Sequence, residues 1–98
     1  MAAELRWTEE AASWLEDIYC YIAQDNPETA RRVVTSIYDR AQMLKGFPRM
    51  GHAYRREPEG EIRILSYGHY RIAYIIRTDE LIEILGVFHT SLDIDCYL

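Results

Sequence analysis

Residues 67–77 read YGHYRIAYIIR. Gly68-His69 is the signal of a two-residue hairpin loop with glycine first. Behind it Tyr70, Ile72, Tyr74 and Ile76 alternate with Arg71, Ala73, Ile75 and Arg77, the period of a β-strand. Taken with the last strand, both faces of the sheet are fairly apolar. The run therefore reads as a central strand with one face packed on helices and the other partly covered or binding something. Arg71 emerges on that second face, near the hairpin. It either meets water or a nearby carboxylate, or it anchors a phosphate or carboxylate of a partner through its rigid bidentate fork.

Working outward, Glu61–Tyr67 and Leu81–Phe88 read as flanking strands, joined through Gly68-His69 and through a turn at Thr78-Asp79-Glu80. Strict alternation on the last strand sets Ile82, Ile84 and Phe88 against Leu81, Glu83, Leu85 and Val87. Short local turns predict an antiparallel meander. Residues 46–60, GFPRMGHAYRREPEG, are loop-like, with a short strand admissible near His52–Arg55.

Upstream, Ala11, Trp14, Leu15, Ile18 and Ile22 recur at three and four, which predicts an amphipathic helix over 8–24. Thr8 is its N-cap, and Glu9 and Glu10 suit the positive end of the helix dipole. Asp25-Asn26-Pro27 breaks it and starts a second helix over 27–46, with Asn26 as cap and Pro27 at the first helical position. The connection is so short that the helices form an antiparallel hairpin. Ala3–Trp7 alternates as a first short strand. The order is β-α-α-β-β-β: a single α+β domain over 1–98, with a helical hairpin packed on one face of an antiparallel sheet.

The 98 residues suffice for one domain with a thin core, burying about 60–65% of the unfolded chain's surface. The apolar fraction of 49% fits a globular fold. No run is long and apolar enough to span a membrane, and MAAELRWTEE lacks the apolar stretch of a secretion signal. Cys20 and Cys96 make no disulfide framework and no CxxC motif, so a reduced, cytoplasmic protein is expected. Neither thiol has an obvious activator. The net charge of −5 argues against non-specific nucleic-acid binding, but it hides three blocks. Residues 1–28 carry −6, residues 29–56 carry +6 and residues 57–98 carry −5. Packing of the acidic first segment against the basic second one would neutralise much of this internally.

The chemistry-bearing candidates are few. Arg49, Arg55, Arg56 and Arg63 could meet nucleic acid or an acidic segment, or simply be solvated. His89 ends the last strand, where an imidazole could act as general acid or base, or be structural. It could meet Asp93 one turn on if the tail is helical. No metal-ligand spacing, glycine-rich phosphate loop or nucleophile elbow is present, so no metal or cofactor is expected.

WTEEAASWLEDIYCYIAQDNPETA, RAQMLKGFPRMGHAYR, EIRIL, YGHYRIAYIIR and IEILGVFH, taken in this order and spacing, resemble the RelE/ParE superfamily of type II toxins over about residues 4–90. The resemblance implies the same β-α-α-β-β-β fold and a cognate antitoxin as partner. The antitoxin's disordered tail would fold across the sheet and hairpin, with a dimer or heterotetramer among the assemblies. RelE-like members cleave mRNA on the ribosome, and in that reading Arg63, Arg71 and His89 would be catalytic. ParE-like members poison DNA gyrase by binding. Many relatives are basic around and after the terminal histidine, whereas Gly86–Asp95 holds no Lys or Arg and carries Asp93 and Asp95. Together with the hairpin motifs, this favours the ParE-like branch. Arg49, Arg55, Arg56, Arg63, Arg71 and His89 would then contact target or antitoxin. A member that binds antitoxin but is weakly toxic is the third expectation.

Overall fold

The computed structural model describes residues 3–78 and 80–98. Strand β1 (Glu4–Trp7) leads into helices α1 (Glu9–Ala23) and α2 (Pro27–Gln42). Strands β2 (His52–Glu57), β3 (Gly60–Tyr67), β4 (Tyr70–Thr78) and β5 (Leu81–His89) follow. The helix signals act as expected. The Thr8 hydroxyl accepts from the Ala11 N–H at 3.1 Å and the Asn26 side chain from the Thr29 N–H at 3.1 Å. Helix α2 stops at Gln42, earlier than its apolar stripe suggests, and Met43–Lys45 tightens into a 3₁₀ turn before Gly46. Asp79, in the expected turn between β4 and β5, lies outside the described residues.

The sheet order is β1-β5-β4-β3-β2. Strands β3 to β5 form the expected antiparallel meander, and β2 extends it by pairing antiparallel with β3. Strand β1 adds in parallel to β5, with Leu5 opposite Ile82 and Trp7 opposite Ile84, so the sheet is mixed. The intervening helical hairpin carries the chain back across one face, and this permits the parallel pairing. Arg-rich β2, admissible only as His52–Arg55 from sequence, runs to Glu57 as an edge strand and bulges between Ala53 and Arg55.

Two apolar clusters sandwich the sheet. On the helix side Ile72, Tyr74, Ile76, Ile82, Ile84 and Val87 pack against Ala11, Ile37, Ala41 and Leu44. On the other side Ile64, Ala73 and Phe88 pack beneath Ile94, with Leu92 and Leu98 beside it. Strict alternation misplaced Val87 and Phe88. Between the pairs Ala73–Gly86 and Tyr74–Ile84, Leu85 is an extra residue in β5. Such a bulge inverts every later side chain, sending Val87 to the helices and Phe88 to the opposite face. Gly86 makes room, because a Cβ there would come within 2.5 Å of the Phe88 ring.

The charge blocks do not cancel across the hairpin. The ion pairs among the described residues are Arg6–Glu4, Arg55–Glu57, Arg56–Glu61, Arg63–Glu61 and Arg77–Glu83, all local in sequence or across neighbouring strands. None joins α1 to α2, because the apolar stripes that dock the helices turn their charges outward. Among the described residues no helix is long and apolar enough to cross a membrane.

Candidate functional site

The face of the sheet away from the helices is covered by the chain's own C-terminal segment. A 3₁₀ turn at Ile94–Cys96, capped by Asp93 accepting from the Asp95 N–H, seats Ile94 with 6% exposure over Ile64, Ala73 and Phe88. Tyr97 stacks on Phe88 with ring centroids 5.4 Å apart and meets the edge of Trp14 at 5.2 Å. Three polar contacts pin this cover. Arg71 donates from Nη2 to the Leu92 carbonyl at 2.8 Å, Tyr54 hydrogen-bonds Asp95, and Arg55 donates to the Leu98 carbonyl.

Arg71 is therefore half-buried, neither solvated nor paired with a carboxylate side chain among the described residues. Its Nε is buried without an acceptor among them. Arg55 stands on the same face, opposite Ile62 in the ladder, and holds Glu57 at 2.8 Å. Beside the cover, Ile62, Ile75, Leu85 and Phe88 floor an open cleft of about 520 Å³ bounded by Arg55 and Glu57.

Arg63 points the other way. It pairs in register with Tyr74, on the helix side, whereas Arg71 pairs with Phe88. Its Nε donates to the Gly51 carbonyl at 2.8 Å and its Nη1 meets Glu61 at 3.0 Å, with the side chain only 14% exposed. The Arg49 carbonyl accepts a longer contact from it at 3.4 Å. Arg63 thus fastens the loop 48–51 rather than lining the covered face. The Arg49 side chain is exposed, and Arg56 is 80% exposed with Glu61 at 3.7 Å.

His89 lies opposite Tyr70 at the hairpin end of the helix side. Its Nδ1 accepts from the Ser91 N–H at 3.1 Å and lies 2.8 Å from the Ser91 hydroxyl. This assigns the proton of the neutral ring to Nε2. The expected His89–Asp93 contact is absent among the described residues, because Thr90–Ser91 turns before the 3₁₀ segment and Asp93 is occupied as its cap. The structure thus sets Arg71 and Arg55 on one face, each holding a different carbonyl of the tail, and brings Arg63 and the Arg49 backbone together at the loop. His89 belongs to neither group.

Sequence reasoning missed the tail itself. The apolar spacing of Leu92, Ile94 and Leu98 was its only signal. Cys20 and Cys96 are exposed and unbridged. The Asp93 carboxylate pushes the Cys96 thiol upward, away from reactivity. Among the described residues, no three His, Cys, Asp or Glu side chains converge as a metal site requires.

Comparison with known proteins places this geometry. Residues 5–94 match the family described as the ParE toxin of the type II toxin-antitoxin system, parDE. A protein of Sinorhizobium fredii (strain NBRC 101917 / NGR234) named "Putative toxin Y4kP" is 36% identical over 85 residues, covering 87% of this chain and 85% of that protein. A structure of the chromosomal ParDE system from P. aeruginosa superposes with a TM-score of 0.71 at 24% identity, covering 90% of this chain and 96% of that one. The toxin–antitoxin complex RelBE2 from Mycobacterium tuberculosis contains a chain that superposes with a TM-score of 0.67 at 26% identity, covering 91% and 99%.

Proposed function

Because this chain belongs to the ParE toxin family of type II toxin–antitoxin systems, we propose that it is a ParE-like toxin that inhibits DNA gyrase by binding, and that a cognate antitoxin neutralises it in the cytoplasm. One observation carries the choice of branch: the groups that could cut RNA do not meet. Cleavage needs an acid or base within hydrogen-bond reach of the reacting oxygens, together with cations aimed at the phosphate charge that builds. Here Arg71 lies under the tail, Arg63 is bonded to the loop on the opposite face and His89 stands at the helix-side edge. The segment after His89 adds Asp93 and Asp95, which repel a phosphodiester.

The same layout suits binding. Exposed Arg56 lies on the β2 edge strand and exposed Arg49 in the loop before it, and Arg55 and Arg71 have donors directed at main-chain carbonyls that a partner could replace. An antitoxin segment carrying acidic and apolar residues in alternation fits that surface. A dimer or a heterotetramer with antitoxin is the assembly this reading expects.

Tightly induced expression of the chain alone tests the proposal, with a DNA-damage reporter and translation rate followed over the first minutes. A rising reporter signal with translation intact supports gyrase inhibition. Early translation arrest with cleaved mRNA overturns it in favour of a ribosome-dependent ribonuclease. Unimpaired growth identifies an antitoxin-binding member without toxicity.

A further inference from the structure

A second cleft lies between α1 and the paired ends of β4 and β5 at Tyr70 and His89, where Ser91 and Leu92 begin the C-terminal segment. It has a volume of about 490 Å³ and is walled by Trp14, Ile18, Tyr21, Tyr70 and Val87, with the Asp17 carboxylate and His89 at its rim. Tyr21 is one of its walls and is 76% exposed, so its ring face is accessible to a guest. Tyr21 and Tyr70 are close enough for one phenol to bear on the other. Burial first, then the neighbouring Tyr21, raises the Tyr70 hydroxyl's pKa.

The electrostatics of this cleft are one-sided. Helix α1 carries Glu9, Glu10, Glu16 and Asp17 and no Lys or Arg, and its last turn has no base to offset the negative end of the helix dipole. The basic residues of α2 form no ion pair with these acids among the described residues. An aromatic-walled slot with an uncompensated carboxylate and a helix C-terminus suits one kind of guest. A Lys or Arg side chain lays its aliphatic stem along apolar walls and sets its cation against ring faces and a carboxylate.

We propose that this slot receives a basic side chain of a partner protein, as a docking point separate from the arginine-bearing surface assigned to antitoxin or target. It has the opposite polarity, so a partner engaging both surfaces must carry acids toward β2 and a base toward α1. The inference does not depend on whether gyrase or the ribosome is the target.

The test is an NMR titration of the ¹⁵N-labelled full chain with N-acetyl-arginine methylamide and, in parallel, with uncharged N-acetyl-norleucine methylamide. The arginine probe is expected to shift the Trp14 indole N–H and the amides of Ile18, Tyr21, Tyr70 and Val87 saturably. It should bind at least about fivefold more tightly than the norleucine probe, since the charge supplies the preference. Asp17→Asn and Tyr21→Ala, both at exposed positions, should each weaken it at least about threefold. Glu9→Gln, at the far end of the same helix, should not. Equal binding of the two probes, shifts located elsewhere, or an Asp17→Asn variant that binds normally overturns the proposal. So do probe-free, concentration-dependent shifts of these residues, which would assign the slot to a second copy.

Discussion

Arg71 reaches from the centre of the sheet to the Leu92 carbonyl, 2.8 Å away and twenty-one residues on, and so ties the C-terminal cover to the strand it covers. Arg71→Ala removes a charge-assisted hydrogen bond and should cost about 1–3 kcal/mol. The amides of Cys96, Tyr97 and Leu98, which close the 3₁₀ turn, should exchange faster with solvent. Urea unfolding and hydrogen exchange measure both. Unchanged protection of those three amides would disprove the tie.

Arg63 and the exposed arginines should separate in their effects. Arg63→Ala strips the Gly51 carbonyl and Glu61 of a largely buried partner and should destabilise by about 1–3 kcal/mol. Arg49→Ala and Arg56→Ala should leave the unfolding midpoint nearly unchanged, since exposed charges and loose surface pairs contribute little. These two should instead weaken the complex with antitoxin, read by calorimetry. A midpoint loss for Arg56→Ala equal to that of Arg63→Ala would contradict the assignment.

Tyr74 is fully buried, and its hydroxyl accepts from the Gly51 N–H at 3.0 Å while donating to the Pro48 carbonyl at 2.7 Å. Tyr74→Phe leaves both backbone groups without their partner and should cost about 1–3 kcal/mol. Gly51→Ala should cost at least as much, because its Cβ would stand 2.6 Å from the Ile64 carbonyl oxygen, a backbone atom that cannot swing away. Chemical denaturation of the two variants checks the ranking.

The same burial shapes the alkaline limit of stability. Desolvation raises the Tyr74 hydroxyl above its usual value of 10.0, with the Gly51 N–H and Arg63 opposing, and burial also raises Tyr70. A raised native pKa means that the unfolded chain loses its proton first. Stability is therefore intact below about pH 10 and falls as pH rises beyond it toward the native values. Thermal unfolding between pH 8 and 11 should show this fall, shallower in Tyr74→Phe than in the parent. Parallel slopes would rule Tyr74 out as its source.

Much of the architecture was legible locally. The helix caps at Thr8 and Asn26, the proline start of α2, the Gly68-His69 hairpin and the alternation in β4 depend on neighbours within a few residues. Backbone geometry and hydrophobic period dictate such features directly. The same local logic picked Arg71 as the notable cation of the central strand. The resemblance to the RelE/ParE toxins also lay in these motifs and their order.

What remained hidden was set by contacts between distant segments. Strand β1 pairs with β5 across almost eighty residues, so its parallel sense was invisible in either strand alone. One extra residue at Leu85 exchanged the faces of Val87 and Phe88, because side-chain direction has a period of two and any insertion inverts it. Whether Arg63 and Arg71 share a surface also followed from register alone, and they do not. The tail reached its place through Arg71, Tyr54 and Arg55, contacts made only once the sheet exists. By itself the sequence determined the elements and the family. The tertiary structure decided which charges meet, because direction in space accumulates over every intervening residue and is not a property of any one stretch.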